Sequence, residues 1–129
     1  MPNLEADSRI LIIDDEKSVR DFLELFFKKK GYSNISSVNN GKDGIAAVEK
    51  EDIRLALVDV RMPDMNGLDV LKKIKELKPD TGVIMITGYP EESVAKQAIE
   101  KGAFDYIIKP FDLAYLELSV LTKIILMAK

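Results

Sequence analysis

The 129-residue chain contains no cysteine and no histidine. Without cysteine there is no disulfide framework, no thiolate nucleophile and no thiolate metal or iron–sulfur site, and the redox compartment stays open. Without histidine, Ser-His and Cys-His catalysis, imidazole-bound zinc and an internal phosphohistidine are excluded. Acid–base, metal or nucleophilic chemistry must then come from carboxylates, lysine, hydroxyls or backbone groups. Clustered positive charge is missing too. There are 22 acidic residues against 19 scattered basic ones, for a net charge of −3, which argues against nucleic acid as a direct partner of this domain. No apolar run approaches the ~18 residues of a membrane span. The segment Met1-Pro2-Asn3-Leu4-Glu5-Ala6-Asp7 has neither the basic flank nor the apolar stretch of a secretory signal. The default expectation is a cytoplasmic protein with no membrane partner.

What is present suffices for one domain. The chain is 47% apolar and 32% charged, and a chain this long buries roughly two-thirds of the surface its unfolded form exposes. Aliphatic runs at Ile10–Asp14, Asn34–Val38, Leu55–Asp59, Val83–Thr87 and Tyr106–Lys109 alternate with amphipathic stretches. This predicts an α/β fold of repeated βα units around a buried parallel sheet, with the polar second strand at an edge. The first helix, Ser18–Lys30, places Val19, Phe22, Leu23 and Phe26 on one face and stops at Gly31. Further helices are predicted over Lys42–Lys50 and Leu68–Leu77, then one opened by Pro90 and one capped by Asp112. Residues 1–8 read as a loose tail and 9–129 as the domain.

Ligands of a parallel sheet bind beyond the carboxyl ends of its strands. There the sequence places Asp14, Asp15, Asp59, Thr87 and Lys109. Three converging carboxylates repel one another, and a hard divalent cation with oxygen ligands relieves this; a small octahedral ion such as Mg²⁺ suits a site without imidazole or thiolate. Asp59 in such a cluster can also attack phosphorus and form an aspartyl phosphate. The metal and the Lys109 ammonium would then neutralise the oxygens of the transferring group, with the Thr87 hydroxyl within reach. Each residue taken singly has a plainer reading: Asp14-Asp15 as a strand end or helix cap, Asp59 as a turn former, Thr87 as a strand former.

Asp14-Asp15, Asp59 followed by Met62-Pro63-Asp64-Met65-Asn66-Gly67, Thr87-Gly88, Tyr106 and Lys109-Pro110 together resemble the receiver domain of two-component response regulators, over about residues 8–127. The resemblance implies a doubly wound, flavodoxin-like (βα)5 fold of five parallel strands in the order 2-1-3-4-5. It implies a switch that takes a phosphoryl group from a partner histidine kinase onto Asp59. Asp15 is similar to the direct Mg²⁺ ligand, Asp14 to the acid that holds the metal through water, and the backbone carbonyl of Arg61 to the third protein ligand. Lys109 resembles the lysine that pairs with the phosphoryl group, Thr87 the hydroxyl that moves toward it, and Tyr106 the aromatic that then turns inward. The Lys109-Pro110 bond is expected to be cis. Arg61 and Tyr89 occupy variable positions that influence acyl-phosphate hydrolysis. Phosphorylation would alter the surface of the fourth helix, fifth strand and fifth helix, and so regulate an output domain or downstream partner. The stretches Gly82–Tyr89 and Gly102–Tyr106 resemble receivers of enhancer-binding transcription activators.

The last helix carries two apolar stripes, Leu113, Leu116, Val120, Ile124, Met127 and Ala114, Leu118, Leu121, Ile125, Ala128. Only one can face the sheet, so self-association or an intramolecular contact through residues 113–128 is expected. The apolar ending suggests a piece of a longer regulator. Other classes remain open. A flavin module would need a Ser/Thr/Gly-rich loop after the first strand, where Asp14-Asp15-Glu16 stands. An aspartate-nucleophile phosphatase would want an acid where Arg61 stands. A receiver-like interaction module that is never phosphorylated is the remaining alternative.

Overall fold

The computed structural model describes residues 7–127. Five strands and five helices alternate along it: β1 (Arg9–Ile13), α1 (Lys17–Lys29), β2 (Asn34–Val38), α2 (Gly41–Lys50), β3 (Leu55–Asp59), α3 (Gly67–Leu77), β4 (Gly82–Thr87), α4 (Glu92–Glu100), β5 (Asp105–Ile108) and α5 (Leu113–Met127). The strands form one parallel sheet in the order β2-β1-β3-β4-β5. β2 lies at an edge and is only partly buried, whereas every residue of β3 and β4 is buried.

Successive strand residues point to opposite faces, so the apolar runs feed two cores. Leu11, Ile13, Ala56, Val58, Val83 and Met85 pack with Val48 of α2, Leu71 and Ile74 of α3 and Ala98 of α4. Ile10, Ile12, Leu55, Leu57, Ile84 and Ile86 pack with Leu23 and Phe27 of α1 and Leu116, Val120 and Ile124 of α5. The sheet is therefore covered on both faces, and its carboxyl edge is left for loops.

The helix ends follow local chemistry. Gly31 takes φ +97°, where a side chain would be strained, and the Tyr32 amide returns to the Phe27 carbonyl at 3.0 Å. Asn66 caps α3 by accepting from the Leu68 amide at 2.8 Å, and Asp112 accepts from the Tyr115 amide at 3.1 Å at the start of α5.

Three expectations are corrected. Pro90 does not open α4, because Glu91 is still extended and the helix begins at Glu92. Asp14 lies one residue beyond β1. On α1 the buried pair is Leu23 and Phe27, whereas Phe22 is 43% exposed and stacks between Phe26 and Phe111 at centroid distances of 6.2 and 6.3 Å. Of the expected tail, residues 1–6 lie outside the described part, while Ser8 is buried and the Asp7 carbonyl accepts from Asn34 Nδ2.

Candidate functional site

β1, β3 and β5 end at the same edge of the sheet, and the chain just past β1, the end of β3 and the chain just past β5 bring three acids and a lysine together. Carboxylate oxygens of Asp14, Asp15 and Asp59 all lie within 4.8 Å of one another. Asp14 is fully buried, Asp59 nearly so, and Asp15 faces solvent.

Asp14 is held from every side. One carboxylate oxygen accepts from the Glu16 amide at 2.9 Å and the other from Lys109 Nζ at 2.9 Å. Its carbonyl accepts from Arg20 Nη1 at 2.8 Å. Lys109 Nζ also lies 3.6 Å from Glu16 Oε1 and 3.7 Å from Asp59 Oδ1. Burial acts against the charge on Lys109, but Asp14, Asp59 and Glu16 outweigh it and hold its pKa above the usual lysine value.

Asp59 is in the opposite situation. Burial, then the neighbouring charge of Asp14, push its pKa from 3.8 up to about 7, against the pull of Lys109 and a hydrogen bond from the Arg61 amide. A buried carboxyl that resists ionisation beside two other acids is the electrostatic signature of a site that wants a cation. Three carboxylates, one of them reachable from solvent, form a hard-oxygen donor set that fits a small divalent ion.

The other expected residues border this cluster. Asp59 is opposite Ile86 in the sheet, one residue before Thr87. Thr87 is fully buried, and its hydroxyl accepts from the Tyr89 amide at 3.0 Å. Tyr106 sits in β5 opposite Met85, packs partly against the core, and its hydroxyl accepts from the Glu91 amide at 3.5 Å. The Lys109-Pro110 bond is cis. The Arg61 side chain turns outward to Glu91, with Nη2 2.9 Å from Oε1.

Three contributions escaped the sequence reading. The Asp64 carboxylate accepts from the Gly41 and Lys42 amides at 3.0 Å each, so the loop after Asp59 caps α2. Those bonds depress its pKa. Gly67 lies so close to the end of β3 that an added Cβ would strike the Asp59 carbonyl and come within 2.7 Å of Val60 Cα. Arg20, one turn into α1, holds the Asp14 backbone. An acid in the turn after a candidate nucleophile, opposite a helix start, was the available signal for Asp64; Arg20 offered none.

The chain matches the family model of the response regulator receiver domain over residues 10–121. It belongs to that family. The receiver is 40% identical over 117 residues to the regulatory protein AtoC of Escherichia coli K12, covering 91% of this chain and 25% of that protein. A response regulator receiver domain protein from Methanospirillum hungatei JF-1 superposes with a TM-score of 0.90 at 31% identity, covering 95% of this chain and 97% of that one. The beryllofluoride-activated receiver domain dimer of NtrC4 gives a TM-score of 0.87 at 29% identity, covering 92% of this chain and 98% of that one. The chain thus spans about a quarter of the length of the curated relatives it matches.

Proposed function

We propose that this receiver is a phosphorylation-driven switch in which Asp59 accepts a phosphoryl group from a histidine kinase and alters the α4-β5-α5 surface. The observation that carries this reading is the gathering of Asp14, Asp15 and Asp59 within 4.8 Å, with the Lys109 ammonium 3.7 Å from Asp59. In the transfer, an Asp59 carboxylate oxygen forms a bond to phosphorus as the donor's phosphorus–nitrogen bond breaks, its electron pair returning to the imidazole. Asp14, Asp15, Asp59 and the Arg61 carbonyl would hold Mg²⁺. When bound, that ion neutralises the acids and the oxygens of the transferring group.

The protein's own groups do the rest. Lys109 places its ammonium beside the acceptor. Thr87, one residue past the partner of Asp59 in the sheet, has a hydroxyl able to donate to a phosphoryl oxygen. Its shift would vacate space for Tyr106, which sits on the neighbouring strand and packs partly against the core. A partner that prefers the rearranged face then shifts the population.

The output is a proposal of the same standing: regulation of an attached domain or downstream partner, in the manner of enhancer-binding transcription activators, without direct nucleic-acid contact by this domain. Among the described residues no helix is long and apolar enough to cross a membrane, which is compatible with a cytoplasmic setting. Leu118 and Ile125 on α5 are 60% and 43% exposed, and a second copy of the chain is the occupant we favour for that stripe.

The test is incubation with Mg²⁺ and acetyl phosphate followed by intact mass. The expected result is a gain of one phosphoryl group that Asp59→Asn abolishes. No gain would leave the reading of an interaction module.

A further inference from the structure

Three side chains from the connections after β3 and β4 are joined to one another. The Arg61 guanidinium lies above the Tyr89 ring, 4.6 Å from its centroid, and Nη2 donates to Glu91 Oε1 at 2.9 Å. Main-chain bonds tie the same residues to the two switch hydroxyls. The Arg61 backbone favours the ionised form of the Asp59 carboxylate. The Tyr89 amide donates to the Thr87 hydroxyl at 3.0 Å, and the Glu91 amide to the Tyr106 hydroxyl at 3.5 Å. Glu91 is also the residue that precedes the first turn of α4, and its carboxylate caps none of the amides there.

Charge decides where the guanidinium rests. Before phosphorylation Lys109 already serves the buried acids, and the carboxylate that Arg61 pairs with is Glu91. A phosphoryl group on Asp59 adds about −1.5 to −2 charge and three strong acceptor oxygens. The planar fork of arginine matches such a group in a bidentate way, and a dianion outcompetes an exposed carboxylate. Arg61 stands two residues past Asp59, and its backbone already favours the ionised form of that carboxylate. We infer that Glu91 is a positioning residue that holds the Arg61 guanidinium, stacked on Tyr89, away from the acceptor, and that phosphorylation makes Arg61 exchange Glu91 for the phosphoryl oxygens.

The exchange has a consequence at the other end. Once released, the Glu91 carboxylate is free to turn onto the amides of the first turn of α4, where the helix dipole favours an anion. The acceptor thereby reaches α4 by a side-chain route that runs beside the one through Thr87 and Tyr106. This inference rests on Asp59 being the phosphoacceptor.

The test is nitrogen-15 NMR of the chain titrated with beryllofluoride and Mg²⁺, following the Arg61 Nε–H signal and the amides of Thr87, Glu91 and Ser93. In the wild type all four are expected to shift together. In Glu91→Gln the Arg61 signal is expected to be displaced before any analogue is added. Beryllofluoride should bind that variant about two- to five-fold more tightly, the range an exposed ion pair represents. Movement of Thr87 with Arg61 unmoved, or unchanged affinity in Glu91→Gln, would overturn the exchange while leaving the acceptor role of Asp59 standing. Thr87 unmoved, with no phosphoryl gained from acetyl phosphate, would overturn both.

Discussion

Lys109 sits closer to Asp14 than to Asp59, with Nζ 2.9 Å from Asp14 Oδ2 and 3.7 Å from Asp59 Oδ1. In this arrangement the cation is committed to the fully buried acid, and burial beside Asp14 disfavours the charged form of Asp59.

Removing Lys109 therefore strands Asp14 more than Asp59. Lys109→Ala is expected to destabilise the metal-free protein by about 2–3 kcal/mol, below the usual cost of breaking a buried pair because Asp59 can stay protonated. Urea unfolding with and without Mg²⁺ measures this, and millimolar Mg²⁺ should recover part of the loss. The raised pKa of Lys109 means that its contribution is complete below the ordinary lysine value and is lost as pH rises through the folded one.

The pKa of Asp59, near 7 instead of 3.8, is also raised, so its effect has the same sign in a lower pH window. Between those values the folded protein holds a proton that the unfolded chain has released, so stability falls as pH rises through that window. Melting temperatures from pH 5 to pH 8 in a chelating buffer should decline in the wild type. Asp59→Asn should lack that part of the slope and be the more stable protein at pH 8. An identical slope in both proteins would contradict the assignment.

Gly67 and Gly88 provide a matched pair of substitutions on either side of the site. A Cβ at Gly67 would strike the Asp59 carbonyl and lie 2.7 Å from Val60 Cα, whereas at Gly88 nothing lies within 4 Å. Gly67→Ala is expected to cost about 2–3 kcal/mol, in the range of overpacked cores, and to slow phosphoryl uptake by displacing the end of β3. Gly88→Ala should leave stability within about 0.5 kcal/mol of wild type, as ordinary surface changes do.

Asp64→Ala should cost about 1 kcal/mol by removing the acceptor for two amides at the start of α2. Those hydrogen bonds lower the pKa of Asp64, so its contribution is present above the ordinary carboxylate value and lost as pH falls through the folded one. Acid unfolding followed by circular dichroism should show a shallower transition in the variant.

The exposed stripe on α5 predicts association. Sedimentation at high micromolar concentration should show a dimer, and Leu118→Glu with Ile125→Glu should return it to monomer. Both side chains are exposed, so unfolding should change little. A strict monomer with and without beryllofluoride would remove the second copy as the occupant.

Much of this was legible along the chain because it depends on local pattern. Four apolar strand runs and one polar one, separated by amphipathic helices, dictate a parallel sheet with β2 at an edge, and polar residues interrupting those runs mark its carboxyl end. The strand ends carrying Asp59 and Thr87, and the residues after β1 and β5 carrying Asp14, Asp15 and Lys109, were placed by that logic alone. Contacts set by loop paths and by the exact rotation of a helix were not legible. The periodicity of α1 allowed a face through Phe22 as readily as one through Phe27, and only the position of the sheet chose Phe27. Asp64 meets α2 more than twenty residues earlier in the chain, and Arg61 meets Glu91 thirty residues later. Which residues line the edge of the sheet follows from local pattern, since side-chain alternation and turn chemistry act between near neighbours. Which of them bond to one another was decided by the folded structure, because pairing across distant segments depends on three-dimensional closure that no local pattern encodes.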